Sequence, residues 1–143
     1  MEKRISNLLK GRRKPFTISP EATVYSALEI MAEHDIGFLV VMSGTSMLGV
    51  ISERDYARKV DRFARDSRST RVSEIMNTNI FSIDSERTYD EAMELMTRKN
   101  IRHLPVIKSN KLLAIISLSD VVKACLRNQK ETIDFLEDLA LDK

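Results

Sequence analysis

The chain has 143 residues, 43% hydrophobic and 31% charged, which is the composition of a folded globular domain with enough apolar side chains for a core and excludes a disordered segment. One cysteine, Cys125, and two histidines, His34 and His103, exclude a disulfide framework and a thiolate zinc site within one chain. Lys and Arg number 23 against 21 Asp and Glu, and a formal net charge of +2 does not by itself mark a nucleic-acid binder. The positive charge is concentrated in residues 1–14 and 54–71, where it can meet an anion. No apolar run reaches the roughly 18–20 residues of a membrane span, and the opening residues lack a signal-peptide core, so the expected location is the cytoplasm, with no membrane contact.

Residues 4–9 (RISNLL) read as a short helix. Thr23 reads as the N-cap of a helix whose apolar positions Val24, Ala27, Leu28 and Met31 fall on one face. Two short apolar strands follow, 38–42 and 47–52, joined as a hairpin by SGTS at 43–46. A helix then starts near Ser52 with Val60 on its apolar side, and residues 61–71 (DRFARDSRSTR) form a polar, arginine-rich linker. The second half begins with another short helix, 71–76 (RVSEIM). Thr88 and Glu91 make a capping box before Tyr89, Ala92, Met93 and Met96, a stripe that reads as core packing. Strands 104–107 and 112–117 are joined by KSNK, and a helix starts near Ser117 with Val121 and Val122. Residues 129–141 read as a separate amphipathic helix with Ile133, Leu136, Leu139 and Ala140 on one side, able to pack on the body or on a partner chain.

These elements repeat. Residues 16–55 align without a gap on 81–120, with identical pairs that include Phe16/Phe81, Thr23/Thr88, Met31/Met96, Leu39/Leu104, Ile51/Ile116, Ser52/Ser117 and Asp55/Asp120. The order is β-α-β-β-α, twice. The expected fold class is therefore α+β, two pseudo-symmetric repeats: 4–60 with its leading short helix, 61–71 as linker, 72–126 as the second repeat, and 129–141 as the C-terminal helix. Each repeat alone has little surface to bury, so the expectation is that the two pair face to face with clefts at the seam.

The repeated strand ends, GVISERD at 49–55 and AIISLSD at 114–120, carry the most chemistry. A Ser at the helix N-cap and an Asp three residues on face the same opening. A phosphate can meet the helix N-terminus and hydroxyls, while the carboxylate can accept both hydroxyls of a ribose diol. The competing reading is a plain capping box. Arg102 and His103, in IRHLPV at 101–106, can direct two donors at a phosphate. Arg54 and Arg58 sit at i and i+4 and can reach a phosphate chain, whereas Arg62, Arg65, Arg68 and Arg71 read as solvated linker. His34 reads as a solvated helix residue and Cys125 as a small buried thiol. No Walker-type loop, GxGxxG, HExxH or triad is present, so there is no catalytic set, no catalytic cofactor and no metal site to assign, and the chain reads as a non-enzyme.

The two motif copies, with SPEATVYSALEIM and IRHLPV, resemble tandem CBS domains, the paired adenine-nucleotide-binding modules, over essentially residues 4–126, and GVISERDYARKV is similar to small stand-alone bacterial CBS-pair proteins. The resemblance implies a disc-like Bateman module with up to two adenosyl sites in its central cleft, the family ligands being AMP, ADP, ATP, NAD(H) and S-adenosylmethionine. It implies Asp55 and Asp120 as ribose ligands with Ser52 and Ser117 beside them, Ile80 and Phe81 lining adenine at the Asp55 site, and Pro15 and Phe16 doing so at the Asp120 site. Phosphates would then fall to Arg102, His103 and Arg54, aided by Lys14 and Arg58. The copies are not equivalent: Gly37-Phe38 replaces Arg102-His103, and Ser119 stands where the first copy has Arg54, which favours extra phosphate on the Asp55 side. The cationic S-adenosylmethionine suits the arginine-rich seam less well than a phosphate-bearing ligand.

The functional expectation is a regulatory module that binds an adenine nucleotide (AMP, ADP, ATP or NAD(H)) and signals by conformational or dimer rearrangement to an effector protein, as a homodimer of stacked modules. The alternatives are a structural dimerisation module with no nucleotide and, below it, a nucleic-acid binder through the two basic segments, which lack aromatic interleaving and a groove-reading helix.

Overall fold

The computed structural model describes residues 3–12, 14–61 and 66–141. Arg62, Arg65 and the rest of the first half of the expected linker lie outside the described residues. The chain forms two compact units, one of Pro15–Phe81, the other of the residues up to Lys14 together with those from Ser82 onward.

In the Pro15–Phe81 unit, β1 (Thr17–Ile18) pairs parallel to β2 (Phe38–Ser43), and β2 pairs antiparallel to β3 (Ser46–Ser52), giving the order β1-β2-β3. Two parallel neighbours need a crossover, and α1 (Val24–His34) supplies it. The Thr23 hydroxyl caps α1 by accepting from the Ser26 N–H, and Asp35 ends it in the left-handed conformation at φ 52°, which a short polar side chain tolerates. Val24, Ala27 and Met31 of the predicted stripe are buried and Leu28 is half-buried. With Ile18, Leu39, Val41, Ile51, Val60, Val72 and Ile75 they make the core, each larger side chain contributing about 1.5–3 kcal/mol on burial. After β3 comes a single α turn, α2 (Glu53–Asp55), which passes directly into a π-helical turn, Tyr56–Asp61, instead of the regular helix expected there. The short helix α3 (Val72–Ile75) completes the unit.

The second unit repeats this plan with β4 (Ile83–Asp84), α4 (Tyr89–Lys99), β5 (His103–Lys108) and β6 (Lys111–Ser117), in the order β4-β5-β6. Thr88 caps α4 through the Glu91 N–H, and its hydroxyl also lies 3.2 Å from the Glu91 carboxylate. Asn100, at the place of Asp35, ends α4 with φ 54°. The two-residue hairpin turn Ser109-Asn110 carries positive φ at both positions. Both sheets carry a register shift at the same place, between Val41 and Met42 and between Val106 and Ile107.

The last element departs from the expectation of two helices. One continuous helix, α5, runs from Leu118 to Leu141. Its sequence holds no Gly or Pro, and the β-branched Thr132 bonds its hydroxyl back to the Asn128 carbonyl without interrupting it. No helix among the described residues is long and apolar enough to cross a membrane.

The short helices also group differently from the expected 4–60 and 72–126 division. The leading 3-10 turn, Ile5–Leu8, docks on the repeat that is remote in sequence: the N–H groups of Ile5 and Ser6 donate to the carbonyls of Arg87 and Ser85, and Tyr89 N–H donates to Lys3. Helix α3 does the same for the first repeat, with Val72 and Ser73 donating to Ala22 and Pro20 while Val24 and Tyr25 donate to Thr70 and Ser67. The RISNLL and RVSEIM echo is thus a docking pattern, in which each short segment satisfies the orphan N–H groups at the start of the long helix it meets.

Candidate functional site

Each Ser-x-x-Asp motif folds into a reciprocal capping box. Ser52 N–H donates to Asp55 Oδ2 at 2.9 Å, and Asp55 N–H donates to Ser52 Oγ at 3.2 Å. In the second copy Ser117 N–H donates to Asp120 Oδ2 and Asp120 N–H to Ser117 Oγ, both at 3.0 Å. The capping reading therefore holds in both copies. It also fixes where the carboxylates stand, at the junction of the last strand with the helix. A further backbone bond locks that junction to the strand before it: Glu53 N–H donates to the Gly37 carbonyl and Leu118 N–H to the Arg102 carbonyl.

The two junctions then diverge. Asp55 Oδ1 faces Lys59 Nζ at 3.9 Å, and Lys59 also donates to the Ile75 carbonyl at 2.9 Å. Asp120 Oδ2 takes an ion pair from Arg12 Nη2 at 3.0 Å, and Arg12 Nη1 donates to the Ile115 carbonyl at 3.3 Å. Burial raises the Asp120 carboxyl, but the Ser117 N–H and the Arg12 guanidinium outweigh it and hold the group below its ordinary 3.8. Burial keeps His103 below its ordinary 6.5, with Asp120 opposing and Arg102 adding to the shift. His103 is therefore chiefly neutral at pH 7.

Arg102, His103, Ser117 and Ser119 line one cavity of about 530 Å³, with Leu118, Val122 and Lys123. The volume falls in the range of about 300–1,000 Å³ usual for small-molecule sites. A cavity with two cations, an imidazole and two hydroxyls beside an aliphatic wall can take a ligand with an apolar ring and an anionic tail. A neighbouring cavity of about 380 Å³ has Asp120 in its wall, together with Lys10, Arg12, Lys123 and Arg127. Lys14 is exposed.

In the Pro15–Phe81 unit, Ser52 and Asp55 are half-buried, and Arg54 and Arg58 are exposed. The Val50–Asn77 bridge brings the segment leading to Ile80 and Phe81 alongside β3, and both residues are half-buried. Pro15 is half-buried, and Phe16 stacks on His34 with ring centroids 3.8 Å apart. His34 is thus a half-buried stacking partner, not a solvated residue. Arg68 and Arg71 are likewise not simple solvated linker: Arg68 lies over the Tyr25 ring at 4.7 Å, and Arg71 donates to the Glu21 carbonyl. Cys125 is half-buried, with its Sγ 3.3 Å from Met93 Sδ.

Arg12 is the residue the sequence reading missed. It lies more than a hundred positions from Asp120, and only its membership of the basic opening segment pointed to it. Leu118, Val122 and Lys123 escaped because they lie between or beyond the motif letters.

A model of the CBS domain matches residues 5–62 and 72–127. The CBS domain-containing protein CBSX3, mitochondrial, of Arabidopsis thaliana is 34% identical over 142 residues, covering 92% of this chain and 69% of that protein. Among solved structures, a protein with CBS domains from Burkholderia ambifaria superposes with a TM-score of 0.84 at 39% identity, over 89% of this chain and 96% of the other. The CBS domain pair of protein MJ0100, solved in complex with 5′-methylthioadenosine and S-adenosyl-L-methionine, shares the fold with a TM-score of 0.78 at 18% identity, over 90% and 99% of the two chains. With two matched repeats, two three-stranded sheets and two Ser-x-x-Asp junctions, the chain belongs to the CBS domain family.

Proposed function

We propose that the protein is a regulatory module that binds an adenine nucleotide, AMP, ADP, ATP or NAD(H), and passes its occupancy to a partner protein. The observation that carries this reading is the cavity that joins Arg102, His103, Ser117 and Ser119 to the aliphatic wall of Leu118 and Val122. Arg102 serves as a two-pronged donor to phosphate and His103 as a second donor, with the Ser119 hydroxyl beside them, while Ser117 stands beside Asp120 at the ribose. Asp120 accepts from the ribose diol, after its carboxylate exchanges the Arg12 guanidinium for the ligand. The adenosyl ligands of the MJ0100 pair support the class of ligand. The cationic lining favours a phosphate-bearing member of it over a sulfonium.

The Asp55 junction is the second site of the proposal. There Ser52 and Asp55 meet the ribose, Arg54 and Arg58 meet phosphate, and Ile80 and Phe81 line the base. Occupancy regulates only if the nucleotide binds two arrangements of the module with different affinity.

The test is calorimetric titration of ligand-stripped protein with adenosine, AMP, ADP, ATP, NADH and S-adenosylmethionine. Saturable binding of a phosphate-bearing nucleotide is expected, and Arg102→Ala should weaken AMP more than adenosine. Absence of binding to the whole set overturns the reading and leaves a protein-interaction module.

A further inference from the structure

The two units differ in how the segment after the short helix is held. In the Pro15–Phe81 unit it closes on β3 through the backbone pair Val50–Asn77. In β6, Ile115 stands at the place of Val50, and its carbonyl takes the Arg12 side chain at 3.3 Å, so the opening segment is held off the sheet by the length of an arginine. Between that segment and α5 lies the cavity of about 380 Å³, with Leu8 and the buried Tyr89 in its wall.

The rest of the wall is cationic. Lys3, Lys10 and Arg12 come from the opening segment and Lys123 and Arg127 from α5, with Asp120 the one carboxylate among the described lining residues. Arg12 is committed to Asp120 at 3.0 Å and Lys3 to Glu131 at 3.7 Å, which leaves Lys10, Lys123 and Arg127 with no ion pair among the described residues. Lys123 and Arg127 stand at i and i+4, where like charges cost helix stability. Positive charge gathered around one cavity repels itself unless an anion fills it. The first unit holds no such set: Glu74 stands at the place of Asn7, Asn77 at that of Lys10 and Val24 at that of Tyr89. Burial pushes the Tyr89 hydroxyl above its ordinary 10.0, with Arg127 opposing, so it stays a protonated donor.

We propose that this cavity is an anion site for a short phosphate chain, a diphosphate or triphosphate unit, held by Lys10, Lys123 and Arg127. The guanidinium supplies a planar fork and the two ammonium groups supply point charges. A single phosphate group, at about −1.5 to −2, leaves part of that positive charge unanswered, whereas a short chain of them answers it. A long polyanion following α5 would meet Glu131, Asp134, Glu137 and Asp138, which come after Arg127. The chain is either free or the tail of a nucleotide. Its cations are not Arg102 and His103, so the site does not depend on the nucleotide reading.

The test is calorimetric titration of the full chain with tripolyphosphate, pyrophosphate, sulfate, AMP and ATP. Tripolyphosphate should bind more tightly than sulfate, and Lys10→Gln with Arg127→Gln should weaken it about tenfold or more while leaving AMP unchanged. Both residues are exposed, and an unchanged circular-dichroism melt verifies folding. Lys108→Gln with Lys111→Gln removes the same charge from the β5–β6 hairpin and should leave tripolyphosphate binding unaltered. Simultaneous binding of AMP and tripolyphosphate marks a free chain. Competition between ATP and tripolyphosphate, with ATP tighter than AMP by a margin lost in the Lys10→Gln, Arg127→Gln protein, marks a nucleotide's tail. Tripolyphosphate bound where AMP is not supports this site and overturns only the nucleotide reading. No binding of tripolyphosphate, sulfate bound as tightly, or an equal loss in the two double variants overturns the proposal.

Discussion

Arg12 and Asp120 meet at 3.0 Å, although one lies in the opening segment and the other in the first turn of α5. The pair sits on a carboxylate that is already half of a capping box with Ser117. Its first-repeat counterpart, Asp55, faces the more distant ammonium of Lys59, at 3.9 Å. Equivalent motifs thus carry unequal charge environments, and a ligand that needs the carboxylate must compete with a guanidinium at one junction and an ammonium at the other.

Removing the competitor should therefore help a ligand that has a ribose but no phosphate. Both side chains of the Arg12–Asp120 pair are about one-third exposed, and a pair in such surroundings is worth about 0.2–1 kcal/mol. Arg12→Ala should accordingly raise adenosine affinity by up to about fivefold, measured by calorimetry. AMP should gain less, because the displaced guanidinium is then missing beside the phosphate. If adenosine binds Arg12→Ala no better than the parent, Asp120 is not the ribose acceptor.

The pH dependence of stability should show two windows of the same sign. His103 has a folded pKa below its ordinary 6.5 because it is buried. Between those values the unfolded chain binds more protons, so stability falls as pH drops below about 6.5. Asp120 titrates below 3.8 in the folded chain. Its contribution is complete above that value and is lost as pH falls through the folded pKa. Urea unfolding from pH 7.5 to 3 should show both losses; His103→Gln should flatten the upper window and Asp120→Asn the lower. An unaltered upper window in His103→Gln would remove the imidazole from the account.

What the sequence disclosed was the part that repeats. Thr23 and Thr88 and the Ser-x-x-Asp boxes are local: each is decided by neighbours within four residues, and each appears twice in register. What it hid was non-local. Nothing near Ile5 says that its N–H meets Arg87, and nothing near Arg12 says that it reaches Asp120 and Ile115. The continuity of α5 was hidden for another reason. Polar residues at 127–130 resemble a break in periodicity, yet without Gly, Pro or a cap they cannot end a helix.

The boxes themselves should be structural first. Ser52→Ala and Ser117→Ala each remove the acceptor of one helix-start N–H. Each should lower unfolding free energy by about 0.5–2 kcal/mol in urea titrations. Thr at either position retains the hydroxyl and should recover most of the loss. An alanine variant as stable as the parent would show that water replaces the cap at no cost.

Gly49 gives the sharpest contrast between the repeats. Both Val50 and Asn77 donate an N–H to the other's carbonyl, at 2.9 and 2.8 Å, so the chain after α3 lies directly against β3. A Cβ on Gly49 would stand 2.8 Å from Met76 Sδ and 2.9 Å from the Asn77 carbonyl oxygen. Methionine can swing aside, but the carbonyl cannot retreat without stretching both bridge bonds. At the same position β6 carries Ala114, and the next residue, Ile115, receives the Arg12 side chain on its carbonyl instead of a backbone bridge. The second sheet therefore has room for the methyl that the first lacks. Gly49→Ala should cost about 1–3 kcal/mol, read as a lower urea midpoint at unchanged slope. The loss should be accompanied by faster hydrogen exchange at the Val50 and Asn77 amides, since those bonds yield first. A Gly49→Ala protein with parental stability and exchange would mean that Met76 alone absorbs the methyl.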